Sequence, residues 1–176
     1  MIRMFMDTEF TDFPGVSYDF MSNKFGKDYK CHNMISIAMY GGSDELSFYG
    51  ELSDYPSYYS SDFVKLHVEP YLGWYPDRVM DTEDLRTALV AFLMQFEDQG
   101  VELLFDSNYD WDLFNKLMVV PIAHVRGRNI NGLIDRDKFK AFFAGDSSQV
   151  QHHALCDVQA QYVAYDESLG KVKKLK

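Results

Sequence analysis

The run "MDTEDLRTALVAFLMQFEDQGVELLF", residues 80–105, constrains the fold more than any other part of the chain. Asp81 stands where a helix N-cap belongs, Leu85, Leu89, Phe92, Leu93 and Phe96 recur at helical spacing on one side, and Gly100 ends the pattern. "VELLF" follows directly as a short buried strand. A one-sided helix leading into a buried strand is a unit of layered α/β architecture.

The rest of the chain extends that pattern. Residues 3–9 read as a first strand, and "MISIAMYGG" followed by "DELSFYGEL" reads as a hairpin joined around Gly41, Gly42 and Ser43. "SSDFVKLHVEPYL" opens with a Ser/Asp cap signal and continues with helical spacing up to Pro70. Helices are expected near 111–118, 136–144 and 153–169, with "VRGRNINGL" as a basic connection between the first two. Strands first, then helices alternating with a further strand, predict a mixed sheet with helices on both faces. Residues 11–32 hold Pro14, Gly15 and Gly26 without a sustained period and read as a loop or insertion. Its rings, Phe13, Tyr18, Phe20, Phe25 and Tyr29, stand among Lys24, Lys27 and Lys30, where they either pack the loop onto the body or stack a single strand. The 170–176 tail, with Lys171, Lys173, Lys174 and Lys176, reads as a solvated basic end.

With 176 residues, 47% of them hydrophobic, one substantial core is expected and the chain 1–176 reads as a single domain. No apolar run reaches the ~18 residues of a membrane span, and the N-terminus lacks a basic-then-apolar leader pattern, so a cytoplasmic protein without a membrane partner is expected. Cys31 and Cys156 have no companion cysteines at zinc-site spacing and read as reduced, structural thiols. The net charge of −10 argues against nonspecific clamping of long nucleic acid. Carboxylates that hold cations are the exception, because the bound ion attracts phosphate.

Three places concentrate such carboxylates. In "MFMDTEFTDF", Asp7 and Glu9 are two apart in a strand and therefore share a face, where their repulsion is relieved by a divalent cation. "LLFDSNYDWDLF" carries Asp106, Asp110 and Asp112 just beyond the buried strand, at the end where α/β sheets present functional groups. "VQHHALCDVQAQYVAY" sets His152, His153 and Asp157 at the start of the last helix. Taken alone, the second and third are better explained by helix capping and dipole stabilisation.

Together the three resemble the motifs of the DEDDh 3′–5′ exonucleases, the family of ribonuclease T, oligoribonuclease and the polymerase proofreading subunit. "DTEFT" is similar to the first motif, "SNYDWDLF" to the second, and "HHALCD" to the third. The layout is closest to the compact mycobacterial-type 3′–5′ exoribonucleases. The resemblance implies a ribonuclease H-like α/β fold, with a mixed five-stranded central sheet flanked by helices, and a single exonuclease domain. It also implies Asp7, Glu9, Asp110 and Asp157 as ligands of two Mg²⁺ or Mn²⁺ ions, ions that oxygen ligands favour over zinc. Asp106 is left to cap the turn or act as an outer-sphere ligand, and Asp112 to face solvent.

Helix spacing alone picks His153, four residues before Asp157. The family pattern picks His152, which reaches the carboxylates only if it precedes the helix on a loop, and leaves His153 as a partly exposed neighbour. The expected chemistry is two-metal hydrolysis releasing nucleoside 5′-monophosphates from single-stranded RNA or DNA 3′ ends, RNA preferred, with His152 as proton acceptor. Phe10 and Thr11 resemble the place where the family holds the terminal nucleotide, with core packing as the other role of Phe10. Arg126 and Arg128, in a polar Gly-containing loop, are candidates for trailing phosphates. Homodimerisation is a further expectation from relatives. The alternatives are a noncatalytic nucleic-acid or protein-binding module on the same fold, a DNA-directed exonuclease, and a ribonuclease H-like endonuclease.

Overall fold

A computed structural model describes residues 1–11, 33–145 and 148–172. The expected insertion at 11–32, apart from Thr11, and most of the basic tail lie outside the described residues. The sheet has six strands: β1 (Ile2–Phe10), β2 (Met34–Tyr40), β3 (Ser47–Leu52), β4 (Val79–Met80), β5 (Val101–Phe105) and β6 (Val125–Asn129). Their order across the sheet is β4-β3-β2-β1-β5-β6. β1, β2 and β3 run antiparallel in succession, whereas β5 joins β1, β6 joins β5 and β4 joins β3 in parallel. The fold is thus α/β with a mixed sheet, compatible with the ribonuclease H-like expectation. The strand count corrects the expected five, because a two-residue strand, β4, adds to the edge beyond β3.

The helices are α1 (Asp62–His67), α2 (Thr82–Met94), α3 (Asn108–Met118), α4 (Arg136–Gly145), α5 (Ala154–Ala164) and the short α6 (Leu169–Val172). Local chemistry starts several of them where the sequence signals them. Asp81 accepts from the Glu83 and Asp84 N–H groups at the head of α2, and Ser61 accepts from Val64 N–H in α1. At α3, Ser107 and Asp110 form a reciprocal capping box, which moves the helix start three residues ahead of the expected 111.

Period-two alternation in β1 divides the core. Met4 and Met6 face Leu85, Leu89 and Leu93 of α2 and Phe114 of α3, while Phe5 faces the other layer with Ala154 and Val158 of α5. Asp7 and Glu9 therefore fall on the α5 side. Gly50 is what lets α2 approach the sheet, since a Cβ there would overlap the Leu85 side chain. No helix among the described residues is long and apolar enough to cross a membrane.

Two expectations need correction here. "VRGRN" is not a loop but the edge strand β6, parallel to β5. The last helix ends at Ala164 rather than near 169, because Tyr165 turns extended and bridges Ile134.

Candidate metal centre

β1 and β5 run parallel, and beyond the Phe5–Leu104 pairing both lead toward the same end of the sheet. Asp7 and Glu9 project there from β1, Asp106 from the turn after β5, Asp110 from the first turn of α3, and Asp157 from the first turn of α5. They line one cavity of about 200 Å³, with Thr8, Phe10, Ser107 and His152. One ligand atom each from Glu9, His152 and Asp157 lies within 4.8 Å of the others, and the same holds for Asp7, Asp106 and Asp110. Oxygen and nitrogen ligand atoms gathered this closely could hold a small divalent cation.

The carboxylates are held by specific donors. Thr8 N–H and Oγ1–H donate to Asp110 Oδ1 at 3.2 and 2.8 Å, and Ser107 N–H donates to Oδ2 at 3.2 Å. Thr8 points away from Asp7 and Glu9 by strand alternation, and this is how β1 ties itself to α3. On the other face, Gln161 Nε2 donates to Asp7 Oδ1 at 3.2 Å. His152 N–H donates to Asp157 Oδ2 at 2.9 Å, whereas Asp157 Oδ1 is buried and accepts from no N–H or hydroxyl among the described residues, the side-chain partner of this carboxyl being that of Glu9. Two carboxyls buried side by side are costly unless a proton or a cation is held between them.

Burial first, and then mutual repulsion, makes the cluster hold protons tightly. Asp7 is raised well above the usual range by burial and then by Asp110 and Asp157. Glu9 is raised likewise by burial and then by Asp157 and Asp110. Burial lifts Asp110 to about 7 against the hydrogen bonds of Thr8, and lifts Asp157 to about 8 against the His152 N–H. A divalent ion would supply the positive charge this arrangement lacks. The donor set fits Mg²⁺ or Mn²⁺: hard oxygens dominate, and no cysteine joins either group.

The two histidines separate cleanly. His152 precedes α5 with φ 67°, a left-handed backbone that turns its ring to the carboxylates, and the edge of Phe63 meets it at 5.0 Å. Burial, then His67, lowers its pKa. His153 is not the partly exposed neighbour expected from sequence. It is 3% exposed, and its ring stacks on Tyr49 at 4.9 Å and on Trp74 at 5.5 Å. Burial lowers it to about 4. Four-residue spacing to Asp157 failed as a guide because His153 is the N-cap, outside the helical geometry that spacing assumes.

The remaining sequence candidates divide. Phe10 lines the cavity with its ring 6.0 Å from Tyr109, yet it also belongs to the core. Thr11 is fully buried, and the structure spends it on the backbone: its N–H and Oγ1 bond Asn33, and its carbonyl accepts from Ser61 N–H. It does not line the cavity. Neither Arg126 nor Arg128 lines it, although Arg128 pairs in register with Leu104, two residues before Asp106. Arg126 bonds Glu102 at 2.7 Å, and Arg128 lies 3.8 Å from Glu167. Glu102 pairs in register with Arg3, four residues before Asp7 and so about 13 Å along the strand. Asp112 is exposed, as expected.

Sequence reading passed over three contributors. Gln161 could have been found as the residue four after Asp157 on the same helical face. Thr8 gave no signal, because alternation turns it away from its two acidic neighbours. Arg136, at the head of α4, reaches Asp106 at 3.3 Å only through tertiary structure.

An α/β protein with a five-carboxylate cavity at its strand ends is the class that fold and site define. No protein-family model matches the chain, and no curated protein shows a significant match to it.

Proposed function

We propose that this chain is a divalent-metal-dependent 3′–5′ exonuclease of the DEDDh type, acting on single-stranded ends and on RNA in preference to DNA, in the cytoplasm. The observation that carries the reading is the convergence of Asp7, Glu9, Asp110, Asp157 and His152, from three separate stretches of sequence, on a single cavity. The preference for RNA rests on the likeness to the compact exoribonucleases alone.

When bound, Mg²⁺ or Mn²⁺ supplies the charge that holds a phosphodiester against the carboxylates and favours the attack of water. The chain does the rest. Thr8 and Ser107 fix Asp110, Gln161 orients Asp7, and the His152 N–H orients Asp157. The His152 ring, kept neutral by burial, takes a proton from water at an imidazole nitrogen. The water oxygen bonds to phosphorus, the bond from phosphorus to the 3′ oxygen breaks, and that oxygen gains a proton. The released nucleotide carries the 5′-phosphate. Phe10, at the cavity wall, offers a ring face to the terminal base.

The test is a time course on matched single-stranded RNA and DNA oligonucleotides labelled at the 5′ end, with Mg²⁺, Mn²⁺ or chelator. Stepwise shortening from the 3′ end, faster on RNA and absent in chelator or in Asp157→Asn, is expected. An intact substrate under conditions where the protein binds Mn²⁺ would instead favour a noncatalytic binding module. Internal cuts would favour an endonuclease.

A further inference from the structure

Asp110 and Asp106 face the same cavity but are committed very differently. An ionised carboxylate has about four lone-pair positions. Asp110 spends three of them on Thr8 N–H, Thr8 Oγ1–H and Ser107 N–H, which fixes its orientation and leaves one position for a cation. Asp106 accepts one hydrogen bond, from Arg136 Nη1 at 3.3 Å. Arg136 is itself half exposed and keeps a second anchor at Asn131 Oδ1, 2.7 Å away. Asp106 also lies within 4.8 Å of ligand atoms of both Asp7 and Asp110. In the same cavity, Asp157 Oδ1 is buried and accepts from no N–H or hydroxyl among the described residues, which leaves it open to a positive ligand.

We propose that Asp106 is a fifth cation-binding carboxylate of this centre, and that Arg136 competes with the cation for it. The inference rests on reading the cavity as a divalent cation site, and it makes a direct ligand of a residue that the sequence leaves as a turn cap or outer-sphere ligand. Competition follows from charge: one carboxylate cannot give its full field to a guanidinium and a divalent ion together, so binding of the ion weakens the Arg136 contact. The freed guanidinium, still tethered through Asn131, is then available beside Asp106 to bind a phosphate.

The test is Mn²⁺ binding to the whole chain by titration calorimetry, without substrate, for the wild type, Asp106→Asn and Arg136→Gln. Asp106→Asn is expected to raise the Kd on the order of tenfold or more, while Arg136→Gln lowers it by releasing Asp106. These two changes act in opposite directions, which a general loss of folding cannot imitate. An Asp106→Asn affinity equal to that of the wild type would overturn the proposal while leaving the cation centre standing. An Arg136→Gln affinity equal to or weaker than that of the wild type would overturn the competition. Failure of the wild type itself to bind Mn²⁺ would overturn the cation reading on which both rest.

Discussion

Burying several carboxylates around one cavity fixes how single residues of this protein respond to pH. Asp110 is pushed to about 7 and Asp157 to about 8, against roughly 3.9 for an unfolded Asp. The folded chain therefore binds these protons more tightly than the unfolded one. The resulting stabilisation is complete below about pH 4 and is lost as pH rises through 7 and 8. In chelator the melting temperature should fall as pH rises from about 6.5 to about 8, and Asp157→Asn should flatten that fall and melt higher at the alkaline end. A flat wild-type profile in scanning calorimetry would contradict the buried-charge argument. His153 acts in the opposite direction, losing stability as pH drops from about 6.5 toward its buried value of about 4, so the carboxylate effect is read above that range. The two histidines also part in kinetics. His152→Ala should lower turnover by roughly a hundredfold, the scale of a lost general base. His153→Phe, which keeps a ring between Tyr49 and Trp74, should leave turnover within a few-fold. The reverse ranking would return the proton-acceptor role to His153.

At the scale of elements, the signals that worked were those written in local chemistry. The apolar face of α2 and its Asp81 cap appear as expected, because burial and capping both act through neighbours within a few residues. β6 escaped because "VRGRN" has no apolar alternation to read: at the sheet edge, its Arg126 and Arg128 are matched by Glu102 and Glu167 from distant segments. The seating of α2 on β3 makes a specific demand. Gly50→Ala should cost about 1–3 kcal/mol by overpacking against Leu85, and Leu85→Ala alone about 2–5 kcal/mol through the cavity it leaves. In the double variant the new methyl occupies part of that cavity, so the combined loss measured by urea unfolding should be smaller than the sum. Simple additivity would mean that α2 shifts away from the sheet rather than resting on Gly50.

For the molecule as a whole, the carboxylate cavity links ligand binding to global stability. A cation that binds only the folded chain stabilises it by about 2.7 kcal/mol at a hundred times its Kd, which for a chain of this size raises Tm by roughly 5–10 °C. Millimolar Mn²⁺ should produce such a shift at pH 7.5, and Asp7→Asn should abolish most of it; thermal scanning fluorimetry reads both. No shift in the wild type would mean that the buried Glu9 and Asp157 carboxyls are held together by a proton rather than by a cation. The sequence alone determined the layering of helix on strand, the strand face shared by Asp7 and Glu9, and the helix start before Asp157, since periodicity and capping are properties of short windows. It left Thr8, Gln161 and Arg136 unread, gave Asp106 only as a turn cap or outer-sphere ligand, and held as candidates Arg126, Arg128 and Thr11, none of which lines the cavity. Those outcomes depend on which distant segments the sheet order brings together. Only the parallel pairing of β5 with β1 sets Asp106 and Asp110 beside Asp7, and only the left-handed turn at His152 aims that ring, rather than the ring of His153, at the carboxylates.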